Sequence, residues 1–585
     1  MLLKAQSVSK SFGPQKVLTD VSLQINEGDR IGLVGANGAG KSTFLKILLG
    51  EEKEDTGEIT RRTEKIGYMQ QFVDIPEDMT VREVLEQSFS YAEHIKVRMA
   101  EIDEMYSSGG DIDWNALAEE QSELESKLQK FNSEIGDKLL DVLKQVNFPE
   151  EYLDREMGSL SGGEKSKVMM ARTVVQVTDC DLIFMDEPTS HLDISTIEWM
   201  ERLILGSKCA VVIVSHDRYF LDRIALRVLE IENGKSQEYK GNYSDYVDKK
   251  NMALERQMKE YERYADAKKK QDALIEAMFH DARRYMGSYK TRIMMASKLE
   301  EKERPDEQKD ININIKAAQK SGKNVLMAED VSVSRDGKTI LSGINLDIQK
   351  GDKIGIFGAN GAGKSTLLKA ILGELPVTGD LWVAPGAKIG YYSQQHEGLD
   401  LKLTAEEQML HLIGPDNKAE ARRALAQFLL TDENVTKKME SLSGGQRAKV
   451  ALCLMMHGET NLLILDEPTN YVDINSKHML EQALAEYDGV VITVTHDRYF
   501  LDNVCNKVIE VGKGKAICHN GNYTDLKGAP EPVKIAEKAT MYRCVEPFTN
   551  WTTRKKYAKG DRIAITPSEM PGFQDALDKG KIRKS

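Results

Sequence analysis

No stretch of this chain approaches the ~20 continuous apolar residues that a membrane helix needs. Its longest apolar runs, such as Cys209 to Val214, are strand-sized, so no integral membrane segment is expected. Cysteine is scarce: six in 585 residues (Cys180, Cys209, Cys453, Cys505, Cys518, Cys544), with no C-x-x-C pair among them. That argues against zinc ribbons, iron–sulfur clusters and a disulfide framework, and leaves ordinary reduced thiols. The opening Met-Leu-Leu-Lys-Ala-Gln has neither the charged n-region nor the long apolar core of a secretory signal, so a cytoplasmic location is expected. Positive charge is in deficit, 80 Lys plus Arg against 93 Asp plus Glu, for a net charge of −13. With 41% apolar and 30% charged residues, the composition is that of a soluble globular chain, long enough for several domains.

What is present is an internal repeat. Val34 to Thr43 (Val-Gly-Ala-Asn-Gly-Ala-Gly-Lys-Ser-Thr) returns at Phe357 to Thr366 with only the first residue changed, at an offset of 323. Leu-Ser-Gly-Gly recurs at Leu160 and Leu442, and Asp-Glu-Pro-Thr at Asp186 and Asp466, at offsets of 282 and 280. The first copy therefore carries 41 extra residues, which fall after Gln71. They lie within about Arg82 to Asp137, where polar, helix-favouring sequence is broken by Ser107-Ser108-Gly109-Gly110, a pattern that predicts a projecting helical hairpin. The implied organisation is a first domain over 1–245, a linker over 246–321, a second domain over 322–526 and a tail over 527–585.

Each glycine-rich segment fits G-x-x-x-x-G-K-[ST] after a short apolar strand and before a helical pattern, the context of a phosphate loop. Gly35, Asn37, Gly38, Gly40, Lys41, Ser42 and Thr43 form the first, and Gly358, Asn360, Gly361, Gly363, Lys364, Ser365 and Thr366 the second. Backbone N–H groups of such a loop cradle phosphate oxygens at a helix N-terminus. Lys41 and Lys364 are expected to reach the β- and γ-phosphates of ATP, while Ser42 and Ser365 ligate Mg²⁺. The apolar runs Leu182 to Met185 and Leu462 to Leu465 predict buried parallel strands that end in carboxylate pairs. Asp186 and Asp466 are expected to hold the magnesium, and Glu187 and Glu467 to polarise the attacking water. His216 and His496, each inside a repeated His-Asp-Arg-Tyr-Phe-Leu-Asp, are expected at the γ-phosphate.

The motif set resembles that of the ATP-binding cassette ATPases, whose signature is the Leu-Ser-Gly-Gly segment. The resemblance implies an α/β fold with two P-loop cassettes that pair head to tail within one chain, a monomer. Ser161, Gly162 and Gly163 would then close over ATP held on Lys364, and Ser443, Gly444 and Gly445 over ATP held on Lys41. It also implies that Gln71 and Gln394 sense magnesium and the γ-phosphate, and that Asp193 and Asp473 form the D-loops. Phe12 matches the residue that stacks on adenine, but its counterpart is Arg335, and Tyr471-Val472-Asp473 departs from the His191-Leu192-Asp193 of the first copy. Two hydrolytic sites of unequal affinity are expected.

The linker bears on the task. Tyr246 to Phe279 is rich in helix formers, with Leu254, Met258, Tyr261 and Ala265 at helical spacing. Ala282 to Lys298 then carries Arg283, Arg284, Lys290, Arg292 and Lys298 without an acidic residue, interleaved with Tyr285 and Tyr289. Such a basic, aromatic tip on an acidic protein suits RNA phosphates and bases, a solvated turn being the plain alternative. Tandem cassettes, an insertion in the first copy only and this linker together resemble the ABC-F family. That resemblance implies binding to the ribosome at the tRNA exit site in the ATP-closed state, with the insertion as an arm and the linker aimed at rRNA, P-site tRNA and the peptidyl-transferase centre. Translation factor and antibiotic-resistance factor both stay open. The competing class is the ATPase subunit of a transporter. The tail predicts a strand at Asp561 to Thr566 and a short helix near Gln574 to Leu577, with no assigned activity.

Overall fold

The computed structural model describes residues 1–36, 38–69, 75–108, 114–146, 148–190, 192–279, 294, 322–335, 337–393, 399–428, 430, 432–458, 460–470, 472 and 474–528, together with short stretches of the tail between 540 and 584. The chain divides into two compact units, residues 1–530 and 531–585.

Within the first unit the repeat is a repeat of architecture. Each copy has a six-stranded sheet whose first five strands run parallel. In the first copy the order is Ile66–Met69, Leu182–Asp186, Ala210–Val214, Arg30–Val34, Arg227–Glu232 and the antiparallel Lys235–Lys240. In the second it is Ile389–Tyr392, Leu462–Asp466, Val490–Val494, Lys353–Phe357, Lys507–Gly512 and the antiparallel Lys515–Asn520. A three-stranded antiparallel sheet accompanies each, built on Leu3–Phe12 in one and Asn324–Arg335 in the other.

The apolar runs become central strands because both of their faces are covered. Ala210, Val212 and Val214 enter a core with Leu3, Ile25 and Phe44, while Val211 and Ile213 face Ile197, Phe220 and Tyr243 on the other side. Side chains alternate across a strand, so five consecutive apolar residues fill two cores at once. The second copy divides Val490, Ile492 and Val494 from Val491 in the same way.

The insertion folds as the helices Ser90–Ser108 and Trp114–Gln145, preceded by the short helix Val81–Glu86. Thr80 and Glu83 cap the short helix reciprocally. Arg98 joins Glu120 at 2.8 Å across the hairpin, and Tyr106 stacks on Trp114 with ring centroids 5.7 Å apart. The second helix runs past Asp137 to Gln145, where Leu139, Val142 and Leu143 pack with Val168 and Ala171 of the helix Gly162–Asp179. The hairpin is thus rooted on the helix that follows the first Leu-Ser-Gly-Gly.

The linker begins as a helix over Tyr243–Phe279, 37 residues, three longer at its start than the composition predicts. At 1.5 Å per residue it spans about 55 Å. Among the described residues no helix is long and apolar enough to cross a membrane. The tail unit contains the three-stranded sheet Arg562–Ile565, Thr540–Cys544 and Ile582–Lys584, and a hairpin of Phe548–Thr549 with Lys556–Tyr557. The strand expected there is present; of the short helix, only Ala576 falls inside the described residues.

Phe44, on the helix Lys41–Leu49, is fully buried beneath the antiparallel sheet. Phe44→Ala should lower the stability of the first cassette by about 3–5 kcal/mol, read as an earlier urea transition of the whole chain.

Candidate functional site

Strand Arg30–Val34 ends in a turn that only glycine allows. Gly35, Gly38 and Gly40 have φ of 153°, 81° and 97°, and a Cβ on Gly35 would collide with the carbonyl oxygen of Ile231. The helix Lys41–Leu49 starts immediately after Gly40, so its free N–H groups point into the turn. Lys41 Nζ folds back over the loop, donating to Gly35 O at 2.9 Å and Ala36 O at 3.0 Å. Lys364 repeats this with Gly358 O and Ala359 O at 2.9 and 3.1 Å. Desolvation holds the Lys364 ammonium below its usual range.

At the tip of the neighbouring strand Asp186 takes a hydrogen bond from Ser42, and Asp466 takes one from Ser365; burial pushes both carboxyls up. The next residues, Glu187 and Glu467, adopt left-handed φ of 50° and 52°, unusual for a side chain of that size. Each is pinned there by its own N–H, which donates at 2.8 Å to the carbonyl of Val214 or Val494. The turn aims each carboxylate at a histidine: Glu187 Oε1 lies 3.6 Å from His216 Nε2, and Glu467 Oε1 lies 3.4 Å from His496 Nε2. Glu187 Oε2 also accepts the His216 N–H at 3.3 Å. Burial pushes Glu187 up to about 7 and Glu467 up to about 8, into the range where a carboxylate can exchange a proton near neutral pH. Burial, with the Lys364 charge second, holds His496 down at about 4, so its imidazole is neutral. Glu187 Oε1 and His496 Nδ1 are buried without a hydrogen-bond partner among the described residues.

Two cavities lie over these strand ends. One, of about 630 Å³, brings Phe12, Gly38, Gly40, Lys41, Ser42, Thr43, Asp186, Glu187 and His216 of the first cassette against Ser443, Gly444, Gly445, Lys477 and His496 of the second. The other, of about 510 Å³, is lined by Arg335, Asn360, Gly361, Gly363, Lys364, Ser365, Thr366, Asp466, Glu467 and His496, with Leu192 reaching in from the first cassette. Ser161 and Ser443 each cap the helix that starts with the following two glycines. Ser443 to Gly445 line the Lys41 cavity; in the first cassette Ser161 is not among the described residues that line the Lys364 cavity. A further contact made there from the first cassette is Asp193 Oδ2, which accepts the N–H of Asn360 at 2.9 Å. Burial opposes the Asp193 charge, but the hydrogen bonds from Asn360, Ser195 and Thr196 outweigh it and hold the carboxyl at about 2.

The seam between the cassettes is ionic and reciprocal, and sequence reasoning overlooked it. Arg218 pairs with Glu481, and Arg498 with Glu201 at 2.6 Å, all four buried. The Arg498 guanidinium lies 4.0 Å over the ring of Tyr219, and that of Arg218 lies 4.8 Å over Tyr499. These are the arginine and tyrosine of the repeated His-Asp-Arg-Tyr, paired at the 280 offset with a glutamate that also repeats; that shared offset was the available signal. Asn37, Gln71, Gln394, Asp473 and the tip residues Arg283, Arg284, Lys290, Arg292 and Lys298 lie outside the described residues.

A family described as ABC transporter matches residues 18–190 and 341–470, and a second, also described as ABC transporter, matches 229–315. The chain is 34% identical over 536 residues to ABC transporter F family member 5 of Arabidopsis thaliana, covering 89% of this chain and 76% of that protein. It is 31% identical over 530 residues to the energy-dependent translational throttle protein EttA of Haemophilus influenzae, covering 89% and 94%. Among solved structures, the archaeal ribosome recycling factor aABCE1, in complex with ribosomal stalk protein aP1, superposes with a TM-score of 0.58 over 98% of both chains at 19% identity, a likeness of fold.

The raised glutamates have a measurable consequence for stability. Their folded-state values of about 7 and about 8 lie above the ordinary 4.5, so folding takes up protons and stability falls as pH rises across that window. Without nucleotide or magnesium, Glu187→Gln with Glu467→Gln should flatten the dependence of melting temperature on pH between about 5 and 8 and raise it at the alkaline end.

Proposed function

The chain belongs to the F family of ABC proteins and carries two of that family's ATP-binding cassettes, and on that premise we propose that it binds the ribosome at the tRNA exit site in its ATP-closed state and acts through its linker on P-site tRNA or the peptidyl-transferase centre. The observation that carries the reading is the Lys41 cavity, where a phosphate loop, a buried glutamate–histidine pair and the Ser443 helix start converge from two cassettes. An anion between them would be held from both sides, so ATP would clamp the cassettes and its loss would release them. The 37-residue helix leaving the first cassette supplies the reach, and the EttA relatives are named as translational throttles. Translation in the cytoplasm, by a single chain, is the setting this implies; a drug-resistance role is one form it could take.

In the reaction, a water held by Glu187 would attack the γ-phosphorus as the bond to the ADP oxygen breaks, its proton passing to the carboxylate. Burial suits Glu187 to that proton, and the neutral imidazole of the corresponding pair suits His496 to donate to the phosphate. Ser42 with Asp186, and Ser365 with Asp466, fit Mg²⁺, because each is a hard oxygen pair already joined beside a phosphate loop, with a carboxylate whose charge burial leaves undercompensated. Bound there, with Gln71 and Gln394 as further ligands, the ion would neutralise charge on the β- and γ-phosphates. Phe12, half exposed at its cavity, would stack on adenine, while Arg335 would hold the base differently, giving two sites of unequal affinity.

A Glu187→Gln, Glu467→Gln chain should sediment with ribosomes in ATP and not in ADP. Pelleting with membranes instead would favour the transporter-subunit reading. Neutralising Arg283, Arg284, Lys290 and Arg292 should leave ATPase activity without ribosomes intact and abolish the effect on in vitro translation.

A further inference from the structure

The two cassettes differ at one buried position beside the reacting groups. Lys477, on the helix Ile474–Glu486 of the second cassette, is 8% exposed and lines the Lys41 cavity of the first. Its Nζ donates to the backbone carbonyl of His216 at 3.2 Å and to Asp497 Oδ2 at 3.0 Å. One ammonium therefore joins the histidine loop of one cassette to the residue that follows the histidine of the other. At the 280 offset its counterpart is Ile197, a fully buried core residue with no donor to offer His496. The two Arg–Glu pairs of the seam are reciprocal, whereas this contact belongs to one site alone.

A charge of this kind is costly to bury unless it is paired, and Asp497 pairs it within its own cassette. The bond to His216 O is the part that exists only while the cassettes touch. It fixes a backbone already held at its other end, since the His216 N–H donates to Glu187 Oε2. His216 is thus gripped by the general base of its own cassette and by a lysine of the opposite one.

We propose that Lys477 is a positioning residue for hydrolysis at the Lys41 site: by holding the His216 carbonyl from across the seam, it sets the Glu187–His216 geometry only in the closed state. This rests on the assignment of Glu187 and Glu467 as the residues that activate water in two sites. The site at Lys364, with isoleucine in the equivalent place, does without such a contact.

The test uses the full chain with one site silenced at a time. In a Glu467→Gln background, Lys477→Met should lower kcat about tenfold with KM for ATP within about twofold, and Lys477→Arg should recover most of the loss. Lys477→Ile, which copies the other cassette, should act like Lys477→Met. In a Glu187→Gln background the loss should be under about threefold. Equal losses in both backgrounds, or a rise in KM that accounts for the effect, would mean that Lys477 only supports the seam, and an unchanged kcat would also overturn the proposal. If Glu187→Gln with Glu467→Gln left ATPase activity standing, the assignment of the sites would fail first, which separates the two results.

Discussion

Contact between the cassettes depends on buried guanidinium–carboxylate pairs that each half supplies to the other. Arg218 with Glu481 and Arg498 with Glu201 are almost without solvent, and around them Arg223 adds a second cation to Glu201 at 3.2 Å, Asp217 lies 3.7 Å from Arg498 and Lys477 pairs with Asp497 at 3.0 Å, so four cations balance four carboxylates. Stripping one partner from such a cluster leaves a buried charge uncompensated, at a cost of about 3–5 kcal/mol. The ionic seam is thus stable when complete and unforgiving when partial.

Chemistry is placed at this seam by strand ends. Leu182–Asp186 and Leu462–Asp466 are apolar until their last residue, where the sheet stops and the carboxylates emerge. The left-handed turns at Glu187 and Glu467 rotate the second carboxylate of each pair towards the histidine rather than along the strand. Such backbone conformations are tolerated where the surroundings over-determine them, and here the Val214 and Val494 carbonyls do so. Asp193, reaching Asn360 in the opposite phosphate loop, and Lys477, reaching His216, then couple each cassette's ligand-facing backbone to the other's side chains.

The symmetry is incomplete in a consistent direction. The Lys41 cavity has the aromatic Phe12 and the Lys477 contact, whereas the Lys364 cavity has Arg335 in place of the aromatic residue. The first cassette also bears the hairpin, rooted on the helix behind its own Leu-Ser-Gly-Gly, and the long helix that starts at Tyr243. Tyr246 and Lys250 of that helix bond to the buried Glu230, whose strand adjoins Arg30–Val34 and hence the first phosphate loop. Duplicated engines have thus been given unequal attachments.

From sequence alone came the repeat, the two cassettes, the phosphate loops and their carboxylates, and the helical insertion and linker, because each is local: a glycine pattern, an apolar run ending in acid, or a helical period is complete within a few residues. The insertion's second helix was placed short of its end because it continues into a core shared with another helix, and no local signal marks that. Tertiary structure alone decided the rest. The Arg–Glu pairs, Asp193 on Asn360 and Lys477 on His216 join residues more than 160 positions apart. In sequence these are ordinary charged residues on amphipathic helices; their meaning arises only when a second cassette removes the water around them and each charge must find its partner there.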